Sequence, residues 1–77
     1  MLELFVSTGC PFCAELREQL DWDGREYVER DVDADALARE RLLELVGAGA
    51  MVPALVDDGH VEQLGWHGRG CYVGSAS

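Results

Sequence analysis

The chain predicts an α/β fold, β-α-β-α-β-β around a four-stranded mixed sheet, and three observations carry that prediction. An apolar run, Leu2-Glu3-Leu4-Phe5-Val6, opens the chain and is followed by two segments with helical apolar spacing, separated by strand-like sequence. Glycine and aspartate punctuate the boundaries between these segments. Asp58-Gly59 then divides two short apolar runs, which is the signature of a tight hairpin.

Leu2 to Ser7 is expected to be a buried strand. Pro11 to Trp22 reads as a helix with Phe12, Leu16 and Leu20 on one stripe and Trp22 packing at its end, and Asp23-Gly24 stops it. Arg25 to Val32, with Tyr27, Val28 and Val32, is the second strand. Asp33 is expected to cap a helix running to Val46, whose inward positions are Ala38, Leu42, Leu45 and Val46, and Gly47 and Gly49 end it. Val52-Pro53 interrupts the chain before Ala54-Leu55-Val56, and the hairpin returns through His60 to Leu64. Strands one and two, joined by a helix, should be parallel, and the last pair antiparallel. The tail from Gly65 is glycine-rich and too short for a further long helix.

Seventy-seven residues predict a single domain over 1–77 with a small core. Fifteen acids stand against six arginines and no lysine, a net charge of −9. Such a field repels polyanions, so nucleic acid is not an expected partner. The apolar stretches are too short to span a membrane, and Met1-Leu2-Glu3 lacks the profile of a secretion signal. A cytoplasmic monomer or weak dimer with no membrane partner is therefore expected.

The chemistry concentrates in Cys10-Pro11-Phe12-Cys13, at the handover from the first strand to the first helix. Proline suits the first helical position, where its missing N–H costs nothing. Residues i and i+3 of a first turn share a face, so the two sulfurs can approach closely enough for a disulfide. Cys10 lies among unpaired N–H groups at the positive end of the helix dipole, a placement that lowers a thiol pKa from about 8.5 into the range of about 3.5 to 7.5. The pair thus reads as a redox site with Cys10 and Cys13 as catalytic residues. Phe12, between them and turned outward, is expected to touch partners. A metal is the rival reading, because Cys10, Cys13, His67 and Cys71 add up to four potential zinc ligands, though His67 and Cys71 on a glycine-rich tail make a poor second pair. Cys71 is otherwise either a packed tail residue or a third thiol able to resolve a mixed disulfide or bridge two chains. His60 reads as an exposed strand residue, and His67 lies closer to the expected site.

With these residues in place, the chain resembles the glutaredoxins of the thioredoxin-fold superfamily. The resemblance rests on Cys10-Pro11-Phe12-Cys13, Asp31-Val32-Asp33 before the second helix, Val52-Pro53 before the hairpin and the Gly65 turn after it, in that order and spacing. It implies a thioredoxin-like fold, a cis Pro53 facing the cysteines, and a Val52 backbone that pairs with the cysteinyl part of glutathione. Three departures are visible. Ser7-Thr8-Gly9 lacks the basic residue often found before the first cysteine, Met51 replaces the usual threonine, and Gly65-Trp66-His67-Gly68-Arg69-Gly70-Cys71 stands where a glycine pair and a final helix normally follow. The fold is therefore expected to lack a full C-terminal helix. The tail is also similar to that of short redoxins fed by thioredoxin reductase, and to short glutaredoxin-like proteins, some of which carry selenocysteine at the first position.

The resemblance implies a thiol-disulfide oxidoreductase that reduces protein or glutathione mixed disulfides, with no built-in cofactor and glutathione as co-substrate. Its expected partners are disulfide-containing proteins and either glutathione or a thioredoxin-reductase-like donor. Val52, Pro53, Gly65 and Arg69, with Phe12, are the expected substrate-binding residues. Glutathione carries two carboxylates, and Arg69, with Arg39 or Arg41 on the second helix, is the available positive charge in an acidic chain. The resemblance also admits an alternative, an iron-sulfur cluster or zinc carrier that uses Cys10 as a ligand without redox turnover.

Overall fold

The computed structural model describes residues 1–73; positions 74–77, included in the expected single domain, lie outside the described residues. Its elements are β1 (Leu2–Val6), α1 (Pro11–Trp22), β2 (Val28–Asp31), α2 (Ala36–Val46), β3 (Met51–Val52), β4 (Ala54–Asp57), β5 (His60–Leu64) and β6 (Cys71–Tyr72). The main sheet has four strands in the order β2-β1-β4-β5, with β1 parallel to β2 and antiparallel to β4, and β4 antiparallel to β5. This is the mixed sheet expected. A second, two-stranded sheet pairs β3 with β6, and no helix follows β5 among the described residues.

All five residues of β1 are buried, because the strand lies inside the sheet with both faces covered. Glu3 is the one charged residue among them, and the fold answers it with two arginines: Arg30 of β2 and Arg41 of α2 each bind one carboxylate oxygen at 3.1 Å. A buried carboxylate without such partners would cost several kcal/mol. Arg41 is therefore committed to Glu3, not presented to a ligand.

Helix α1 buries Cys13, Leu16 and Leu20, a spacing of three then four that follows one helical face. The expected stripe began one residue earlier. Phe12 is only half-buried against the core, and Trp22, expected to pack, is 87 % exposed because it falls off the Cys13–Leu16–Leu20 face. The second strand is shorter than expected, since Arg25 still bonds back to the Leu20 carbonyl and Gly24, at φ 70°, turns the chain before pairing begins.

Asp35, not Asp33, caps α2, accepting from the Leu37 and Ala38 amides. Any of Asp31, Asp33 and Asp35 satisfies the local cap rule. Tertiary contacts divide the work among them: Asp31 Oδ1 accepts from the amides of Asp33 and Ala34 to form a turn, and Asp33 Oδ2 accepts from the Thr8 amide at 3.0 Å. Asp58 and Gly59, at φ 48° and 86°, make the hairpin turn with the left-handed pair such turns require. Residues of β5 are mostly exposed, with Val61 and Leu64 among them.

Candidate active site

The Ser7-Thr8-Gly9 loop between β1 and α1 sets the position of the thiols. The Thr8 amide and hydroxyl bond to Asp33 and Asp31 at the far end of β2, and the Cys10 amide bonds to the Ser7 carbonyl at 3.4 Å. These anchors hold Cys10 as the N-cap residue of α1, with Pro11 in the first turn and no side chain capping the helix. The helix N–H groups are thus aimed at the Cys10 sulfur region rather than consumed by a cap.

Cys10 is buried, 5 % exposed, and its Sγ lies 3.9 Å from the Val52 carbonyl oxygen. Burial pushes its thiol up, but the Cys71 thiol, the Cys13 backbone amide and thiol, and the Phe12 amide outweigh burial and hold it below the ordinary thiol value. Cys13 is the opposite case. Its burial dominates and pushes it up to about 12, raised further by the neighbouring Cys10 and Cys71 and only partly offset by the Ser7 amide. The two thiols of the pair are shifted in opposite directions. Both are free, as is Cys71.

The Val52-Pro53 bond is cis. Val52 and Pro53 are both buried, and of the two it is the Val52 carbonyl oxygen that lies against the Cys10 sulfur. The backbone of Val52 faces Cys71 of β6 in the antiparallel β3–β6 pair. The tail reaches this place through a tight turn in which Trp66 and Arg69 exchange backbone hydrogen bonds of 2.6 and 2.9 Å. Gly65 and Gly70 frame that turn, and both sit where a side chain would collide: a Cβ on Gly65 would lie 2.8 Å from the Arg69 carbonyl oxygen, and one on Gly70 would lie 2.7 Å from the Val52 carbonyl oxygen. Gly70 carried no signal in the sequence beyond being one glycine among several, yet its missing side chain lets the tail approach Val52. Arg69 is exposed on the turn. His67 is exposed as well and packs its ring edge-on to Trp66, with centroids 4.4 Å apart.

Of the expected site residues, the structure brings Cys10, Cys13, Val52 and Cys71 together; Pro53 follows Val52 through the cis bond, Phe12 lies half-buried in the first turn of α1, and Gly65 and Arg69 belong to the turn that delivers β6. Among the described residues no group of three or more His, Cys, Asp or Glu side chains is arranged to hold a metal ion. No described helix is long and apolar enough to cross a membrane.

The glutaredoxin family profile matches residues 2–61, from the first strand into the hairpin. The chain belongs to the glutaredoxin family. This glutaredoxin-family chain is also similar to the crystal structure of the thioredoxin-like protein BC3987, at 36% identity and a TM-score of 0.71, over 79% of this chain and 82% of that one. A mutant of the same protein matches at the same identity and TM-score over 81% of its length. No curated protein matches the chain. The glutaredoxin profile ends within β5, so the tail that carries Arg69 and Cys71 lies beyond it.

The asymmetry between the thiols has a measurable consequence. Alkylation of Cys10 by iodoacetamide is expected to rise with pH through a midpoint below that of an ordinary thiol, since the thiolate is the reactive form. Cys71→Ser removes the leading influence that lowers Cys10, so its midpoint should move to higher pH, read by following adduct formation by mass across a pH series. An unchanged midpoint would show that the helix start alone sets it.

Proposed function

We propose that the protein is a thiol-disulfide oxidoreductase that reduces protein or glutathione mixed disulfides through Cys10 and Cys13. The observation that carries this reading is the split in thiol character at the start of α1: Cys10 held below the ordinary value, Cys13 buried and raised to about 12. In the forward reaction the Cys10 thiolate attacks one sulfur of the substrate disulfide, and the other leaves as a thiolate. Cys13 then loses its proton, attacks the Cys10 Sγ and releases the second product, leaving a Cys10–Cys13 disulfide. Two electrons from a donor thiol restore the pair.

Glutathione is the donor we favour, with Arg69, exposed on the turn before β6, binding one of its carboxylates. The test is reduction of a small mixed disulfide, run in parallel with glutathione plus its reductase and with thioredoxin reductase. Turnover is expected with glutathione, and Arg69→Ala should raise the glutathione KM while leaving Cys10 alkylation unchanged. Turnover with thioredoxin reductase alone would move the donor assignment, and no turnover with either would overturn the reading.

A further inference from the structure

The β3–β6 pair does something the thiol pair alone does not require. It draws the tail across the molecule and sets Cys71 directly opposite Val52, the residue whose carbonyl oxygen is 3.9 Å from the Cys10 Sγ. Gly70, immediately before Cys71, permits this approach, since any Cβ there would strike the Val52 carbonyl oxygen at 2.7 Å and the Met51 sulfur at 3.0 Å. The Val73 amide continues the ladder to the Ala50 carbonyl at 2.9 Å. A third thiol is therefore held on a hydrogen-bonded strand in the place where an extended disulfide partner would have to lie to reach Cys10.

We propose that Cys71 is a catalytic thiol that attacks the Cys10 Sγ of the mixed disulfide and forms a transient Cys10–Cys71 disulfide before Cys13 closes the cycle. The proposal rests on Cys10 being the attacking thiolate of the reading above. In this step the Cys71–Cys10 bond forms and the Cys10–partner bond breaks. Its electron pair leaves on the partner sulfur, which takes up the proton Cys71 released. Cys13 next attacks Cys10 Sγ, and Cys71 departs as the thiolate. The sum is the same two-electron reduction, with no additional oxidant or reductant.

Three physical arguments favour Cys71 over Cys13 for the first attack. The Cys71 thiol is raised chiefly by its hydrogen bond with Cys10, an influence that ends once Cys10 is capped by the partner. The Cys13 thiol is raised chiefly by burial, which capping does not relieve. Cys71 is also only half-buried, whereas Cys13 is fully enclosed. Further, a partner paired with Val52 and β6 paired with Val52 exclude one another, so re-docking of β6 both delivers the attacking sulfur and expels the reduced product.

The experiment treats Cys13→Ser with oxidised glutathione and maps the products by intact mass and peptide mass. The expected result is an intramolecular disulfide linking Cys10 and Cys71 with loss of the glutathione adduct, while Cys13→Ser/Cys71→Ser keeps its adduct on Cys10. Cys13→Ser/Gly70→Ala, which retains Cys71 but wedges β6 away from Val52, should keep the adduct too. A lasting adduct on Cys13→Ser, or a disulfide between two chains in place of the internal one, would overturn the role of Cys71 and leave the proposed function standing. Failure of Cys13→Ser/Cys71→Ser to form any adduct on Cys10 would overturn the proposed function itself.

Discussion

Cys10→Ser is expected to abolish disulfide reduction, with a rate loss of about a thousandfold or more, because a serine hydroxyl is a far weaker acid and nucleophile than a thiol whose pKa is lowered. The surroundings that hold Cys10 below the ordinary thiol value favour its thiolate, whereas the same surroundings leave an alcohol protonated. Cys13→Ser should behave differently. Glutathione in solution can resolve a mixed disulfide on Cys10, so turnover of glutathione mixed disulfides should persist at a reduced rate. Both are read from steady-state rates on a glutathionylated peptide and on a protein disulfide. Equal loss in the two variants would indicate a route needing both thiols, and turnover surviving Cys10→Ser would remove Cys10 from the centre of the site.

Phe5→Ala carries the largest expected effect on stability. Phe5 is fully buried on β1, flanked in register by Arg30 of β2 and Ala54 of β4, and is the bulkiest of the fully buried side chains. Truncating a buried phenylalanine costs about 3–5 kcal/mol, the transfer loss plus the cavity left behind. Domains of this kind are stable by only about 5–15 kcal/mol, so the variant should lose a large part of its stability. A urea titration followed by circular dichroism should show a much lower midpoint at an unchanged slope. A loss below about 1 kcal/mol would mean that the core between the helices and the sheet relaxes around the gap. The site would feel this variant, because β1 leads directly into the loop that holds Cys10.

Legibility of the site varied with how local its determinants are. Cys10 at the start of a helix followed from the proline and the apolar spacing after it, both within one turn. That Cys13 completes the buried face of α1 in place of Phe12, and that Trp22 stays outside, depended on how the helix rolls against the sheet. The three alternating aspartates were equivalent as caps until Thr8 and the turn amides claimed Asp33 and Asp31, leaving Asp35 to α2. Arg41 was one of several arginines available for a ligand carboxylate until the buried Glu3 was seen to hold it.

What the chain's letters determine alone is the β-α-β-α-β-β order of the main elements, the parallel pairing of β1 with β2, the antiparallel hairpin at Asp58-Gly59 and the thiol pair at a helix start, since periodicity, capping, turn preference and connection length act over short stretches. Only the tertiary structure decided the rest. Glu3 is clamped by residues from β2 and α2, Cys13 is raised by enclosure, and Cys71 faces Val52 because Gly70 lets β6 close on β3. Each of these joins segments far apart along the chain, and a contact of that kind depends on the sum of all the packing between them, which no short stretch of sequence encodes.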